Sequence, residues 1–225
     1  MGLPIFRMPP AEVTKLNSTL EKDTYHTDIM KIYIVTTGDL LPRFFKLLEQ
    51  GFMVTTQAGC SIKDLLCKQL GIDEEYLDSR IQTLFLDGKP VDHVAKAYIQ
   101  NDATLALSGA MPGLVGATFR KGGTYAAMRN TISYSADTAR KGRGEARVKL
   151  KFFNMVLKEL GPIFLENGVW IRNEKFREFL SRNLEDLKAA CSCIQLSDQK
   201  IDIVKLEGMD WKGSDVFLQV KTEKN

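Results

Sequence analysis

No stretch constrains this chain more tightly than residues 59 to 72, GCSIKDLLCKQLGI. Ser61 is placed as an N-cap, with Asp64 three positions later as its capping-box partner. Ile62, Leu65, Leu66 and Leu70 then fall on one side of a helix that Gly71 stops. A helix with one apolar side must bury it, and the flanking sequence offers strands for the purpose. Before it lie IMKIYIVT at 29–36 and FMVTTQ at 52–57; after it come IQTLFLDG, a turn at Asp87-Gly88, and ATLALSG at 103–109. DLLPRFFKLLEQG allows a short helix or a loop after Pro42. DEEYLDSR allows one helical turn, whose start Asp73, Glu74 and Glu75 stabilise as carboxylates at the positive dipole end. The expected order is strand, strand, capped helix, strand, short return, strand. Ile32, Ile34, Leu65, Leu66, Leu84, Leu105 and Leu107 are expected to share its core.

That order is the β-grasp pattern, a mixed sheet wrapped around one helix. GDL after the first strand, TTQAGCSIKDLL, FLDGKPV and DATLALSGAMPGLVG together resemble the molybdopterin-synthase small subunit and thiamine sulfur-carrier group of ubiquitin-like proteins, over about residues 28–116. The resemblance implies an α+β, ubiquitin-like fold and a tail at Gly113, Leu114, Val115 and Gly116. In that group a terminal Gly-Gly carboxylate is adenylated and then thiolated by a partner enzyme. Here Leu114-Val115-Gly116 stands where the pair would fall, and Ala117 follows at once. An internal peptide carbonyl cannot be activated as a free carboxylate. Gly122-Gly123, in FRKGGTY, resembles the Arg-Gly-Gly ending of ubiquitin, so it is either a processing site or a turn joining strands GATFR and TYAAMR.

Around that domain the sequence implies an N-terminal extension at 1–27, a basic glycine-containing connection at 117–150 and a smaller α+β lobe at 151–225. The connection carries Arg120, Lys121, Arg129, Arg140, Lys141, Arg143 and Arg147, with Lys149 and Lys151 beyond, against Asp137 and Glu145. With Tyr125 and Tyr134 among them, these cations could hold phosphates and stack bases; a solvated linker is the other reading. KFFNMVLKEL puts Phe152, Phe153, Val156, Leu157 and Leu160 in a helical stripe that Gly161-Pro162 should break. NEKFREFLSRNLEDLK repeats the theme with Phe176, Phe179, Leu180, Leu184 and Leu187. CSCIQL, a polar SDQK link, IDIVKLEG and DVFLQVKT suggest a small antiparallel sheet.

Composition narrows the function classes. No apolar run approaches the ~18 residues of a membrane span, so no membrane partner is expected. The N-terminal apolar stretch is too short for a signal peptide and Phe6 stands where myristoylation wants Ser or Thr, which leaves a cytoplasmic location as the default. Four cysteines are too few for a disulfide framework, and Cys191 and Cys193 are too close for an easy mutual bridge. Cys60 precedes the capped helix, whose dipole favours a thiolate, whereas Cys67 reads as a buried small side chain. His26 and His93 are the only histidines and are expected at the surface, so no catalytic set, metal site or cofactor is implied. The reading is a non-enzymatic β-grasp adaptor that docks a partner protein. The alternatives are an RNA-binding module using residues 120–151 and a sulfur carrier matured by proteolysis.

Overall fold

Ten strands and the helices between them make the described chain mixed α+β. The computed structural model describes residues 30–135, 144–197, 199–211 and 213–223. The chain divides into two compact units: one spans Met53–Leu160, and the other joins the segment ending at Phe52 to the segment from Gly161 onward.

In the first unit β2 (Phe52–Gln57) leads to the capped helix. The Asp64 N–H donates to Ser61 Oγ at 3.0 Å, and that hydroxyl donates to Asp64 Oδ2 at 2.7 Å. Beyond the cap the helix widens into a π-type turn over Asp64–Gln69, in which the Leu70 N–H reaches the Leu65 carbonyl at 2.9 Å. Asp73 caps α2 (Glu74–Ser79), as the acidic start suggested. β3 (Thr83–Leu86) returns as β4 (Lys89–Pro90) through Asp87 and Gly88, at φ 50° and 77°, the paired positive values of a tight hairpin. β5 (Thr104–Ser108) follows.

The strand that completes this sheet is not the one expected. Its order is β4-β3-β5-β6-β2, and β5 runs parallel to β6 (Glu145–Phe153), with Leu105 beside Leu150 and Leu107 beside Phe152. Met30–Thr36 (β1), with Ile32 and Ile34, belongs to the second unit. Leu65, Leu66, Leu84, Leu105 and Leu107 do share the first unit, all fully buried. EARVKLKFF alternates strictly and buries Ala146, Val148, Leu150 and Phe152, so the period is two up to Phe153 and helical only from Asn154. Reading Phe152 and Phe153 into a helix merged these periods. Asn154, at φ 54°, turns the chain into α4 (Asn154–Asn167). That helix continues through Gly161-Pro162 at the loss of one N–H, because Phe164 and Leu165 beyond them are buried.

In the second unit the order is β7-β10-β1-β8-β9. α1 (Leu41–Gln50) holds Pro42 in its first turn; β7 (Val169–Arg172) leads into α5 (Asn173–Ala190); β8 (Cys191–Leu196) and β9 (Gln199–Lys200) form a hairpin. β10 (Asp215–Thr222) runs parallel to β1, Ile32 beside Leu218 and Ile34 beside Val220. The lobe is therefore not purely antiparallel. IDIVKLEG, expected as a strand, forms α6 (Ile203–Glu207), because the Asp202 carboxylate accepts the Val204 N–H and caps it at 2.9 Å. Phe44 of α1 meets Phe179 of α5 at 4.9 Å between ring centres. Each of the two compact units draws on both halves of the chain.

Candidate interaction face

Between β5 and β6 the chain makes an excursion held by polar contacts. Gly113, Leu114, Val115 and Gly116 form the first turn of α3 (Gly113–Phe119), not an extended tail. Gly116 is buried against the Met111 carbonyl, where an added Cβ would overlap that oxygen, so only glycine lets the backbones approach. GATFR and TYAAMR, expected as strands, form the end of α3 and a 3-10 turn, Ala126–Arg129. Gly122 sits between them at φ 61°, and its N–H donates to Asp92 Oδ1 at 2.8 Å.

Arg129 anchors the excursion. Its side chain is 3% exposed and donates to both Asp92 oxygens, at 2.7 and 3.0 Å. It also donates to the carbonyl of Thr118 at 2.6 Å and to Ser133 Oγ at 2.7 Å. Burial opposes ionisation of Asp92, yet the Arg129 hydrogen bonds, the Gly122 N–H and the guanidinium charge outweigh it and hold the carboxyl below its ordinary value. Further ties come from Phe119 on Phe85, 5.3 Å between ring centres, and from the Tyr134 N–H to the Pro90 carbonyl at 2.9 Å.

Held this way, the excursion turns apolar side chains outward. Leu114 is 68% exposed, Val115 62%, Tyr125 44%, Met128 71% and Ile132 52%, and α3 packs on the 3-10 turn so that two of its exposed residues and Met128 occupy neighbouring elements. Of the seven cations read from sequence, Arg129 is thus spent inside the fold. Lys121 is mostly covered, donates to the Leu77 carbonyl at 2.9 Å and lies 3.6 Å from Asp78. Burial lowers its ammonium below the ordinary value, with Asp78 acting in the opposite direction. Arg120 is exposed, Arg147 stands on β6 with its N–H donating to Asn101 Oδ1, and Arg140, Lys141 and Arg143 lie outside the described residues. Asp92 was invisible to sequence reasoning because it meets Arg129 across 37 positions.

Elsewhere in the first unit a cavity of about 730 Å³ is lined by Thr56, Gln57, Cys60, Asp64, Lys68 and Gln69 among others. The buried Thr56 hydroxyl donates to Gln69 Oε1 at 2.8 Å and lies 3.1 Å from Cys60 Sγ. The Cys60 N–H is taken by the Gln57 carbonyl, so it offers nothing to a developing anion. Burial pushes the Cys67 thiol up to about 11 and raises Cys191, leaving both as thiols at neutral pH. His93 is exposed, and His26 lies outside the described residues. Among the described residues no three His, Cys, Asp or Glu side chains gather as metal ligands, and no helix is long and apolar enough to cross a membrane. No family model, curated protein or solved structure matches the chain.

Proposed function

We propose that this chain is a non-enzymatic adaptor that docks a partner protein through the Leu114–Ile132 face of its first unit. One observation carries the reading: five large apolar side chains point to solvent from a segment that a buried ion pair and a close-packed glycine hold in place. Exposing them costs solvation, and exposed apolar side chains on packed neighbouring elements mark an interaction site more often than scattered single residues do. Preformed backbone lowers the ordering cost of association. Four free cysteines are in keeping with a reducing, cytoplasmic setting.

The strand order of the first unit supports a β-grasp, with the capped helix between β2 and β3 and a parallel central pair. In this reading β6 serves as the first strand of the grasp. A carrier matured by cleavage after Gly116 or Gly123 is disfavoured, because cleavage would sever β5 from its parallel neighbour β6. The helical first turn at Gly113–Gly116 likewise replaces the mobile tail that a partner's active site would need.

The test is a photo-cross-linking residue at Met128, compared with one at Val204, which is exposed in the second unit. In cells of the native source Met128 should yield a discrete protein adduct and Val204 none. The partner so identified should bind the purified chain and lose at least tenfold in affinity to a Leu114→Ser, Met128→Ser variant with unchanged circular dichroism. No adduct at Met128, or equal binding by the variant, defeats the reading.

A further inference from the structure

Residues paired directly across a sheet share a face, so strand register alone shows what each face of the second unit's sheet presents. One face carries Ile32, Ile34, Ile171, Val216, Leu218 and Val220, all buried. The other has a different chemistry. Trp170 pairs with Phe217, Phe217 with Lys31, Tyr33 with Gln219 and Gln195, and Val35 with Lys221 and Cys193. Lys200 joins this face opposite Gln195, and Arg172 opposite Asp215.

Two aromatics, Tyr33 and Phe217, therefore stand on the adjacent central strands, diagonal to one another and half-buried, with a third, Trp170, beside them. The rings of Trp170 and Phe217 are 5.2 Å apart, and the Lys221 ammonium lies 5.8 Å from the centre of the Tyr33 ring. The Trp170 indole N–H is buried without a partner. Lys200 and Lys221 stand on this face beside the Arg172–Asp215 ion pair, 3.6 Å apart, so among the described paired residues it carries net positive charge. Rings on central strands give stacking platforms, the Gln195 amide can meet a base edge while that of Gln219 donates to the Glu166 carbonyl at 2.7 Å, and ammonium groups follow a phosphate backbone. A surface built to pack against apolar protein or lipid would not combine these charges with two glutamines.

We propose that this face binds single-stranded nucleic acid, with bases stacked on Tyr33 and Phe217 and phosphates held by Lys200 and Lys221. The site is distinct from the connection at 120–151 and from the docking face of the first unit, and it does not depend on the docking proposal.

The experiment is fluorescence anisotropy of labelled oligo-uridine and oligo-thymidine, each about 12 nucleotides long, with the full chain. Binding should weaken with salt. Tyr33→Leu and Phe217→Leu, which keep apolar bulk, should each reduce affinity about tenfold, while Lys221→Gln should flatten the salt slope by about 0.7. Trp170 and Trp211 are the only tryptophans, so in a Trp211→Phe background stacking should quench the remaining emission. The Leu114→Ser, Met128→Ser variant should bind as the parent does. Equal affinity for both oligomers is expected of stacking, and a preference for oligo-uridine would point to ribose contacts at the same face. The proposal is overturned by absence of binding at low salt, by indifference to both leucine variants, by loss on neutralising Arg120 and Arg147 instead, or by equal competition from polyglutamate.

Discussion

The two units pair their strands alike and finish their surfaces differently. Each has a two-residue edge strand, β4 or β9, hairpinned to an inner strand that lies antiparallel to one member of a central parallel pair. In each, a helix separates the strand at the opposite end from that inner strand: the capped helix between β2 and β3, and α5 between β7 and β8. Yet six exposed large apolar side chains stand in the first unit, against Val204 alone in the second among the described residues. Pairing order is thus not what sets the surface. The excursion inserted between β5 and β6 makes the difference, and it supplies five of the six.

The strongest way to break this comparison is to remove what holds the excursion. Arg129→Met leaves partly covered Asp92 with the Gly122 N–H but no guanidinium, and takes from the Thr118 carbonyl its side-chain donor. Deleting one partner of a buried pair typically costs about 3–5 kcal/mol. Denaturant unfolding should show that loss in the first unit, read by hydrogen exchange of residues 113–129, while exchange in β1 and β10 stays as it was. Equal loss of protection in both units would mean that the excursion is not a local device.

Core truncation comes next. Leu66 is fully buried under the first sheet, and Leu66→Ala should cost about 2–5 kcal/mol from lost transfer energy and the cavity left behind. The measurement is the urea midpoint. A shift worth less than about 1 kcal/mol would place Leu66 outside the cooperative core.

Acidification acts on the same anchor more gently. The Asp92 carboxyl titrates below its ordinary value in the folded chain, so the folded form favours the ionised state. Its contribution is therefore complete above the unfolded value of about 3.9 and fades as pH falls through the lower folded value. The stability gap between the parent and Asp92→Asn should be widest near neutrality and close as pH drops below about 4. A gap that stays constant with pH would exclude Asp92 as the titrating group.

Local signals made much of this legible beforehand. The Ser61–Asp64 cap, the Asp87-Gly88 hairpin, β5 and α5 each depend on residues a few positions apart, and each stands where it was expected. What escaped were choices made over long distances. β1 and β6 both alternate well enough to lie beside β5, and only tertiary burial selects between them. Gly113–Phe119 holds two glycines and two β-branched residues, a composition that favours neither helix nor strand; the Met111 carbonyl packed on Gly116 is part of what settles it. Arg129 looked like a surface cation because its partner is remote in sequence.

The smallest expected effect is the most informative about function. Leu114 and Met128 lose little apolar contact on truncation, since most of each side chain already meets water. Substitution at such exposed positions usually changes stability by no more than about 0.5 kcal/mol in either direction. Leu114→Ser and Met128→Ser should therefore leave the unfolding midpoint almost unmoved and raise solubility, because each removes apolar surface from the patch. In the second unit Val204→Ser is the matched control, an exposed aliphatic outside the excursion, and should change neither stability nor solubility. If Leu114→Ser instead costs as much as a core truncation, the excursion is packed in solution against something that hides it, and the two units differ less than their surfaces suggest. If it costs nothing while partner binding falls, the apolar excess of the first unit is held at the surface for association.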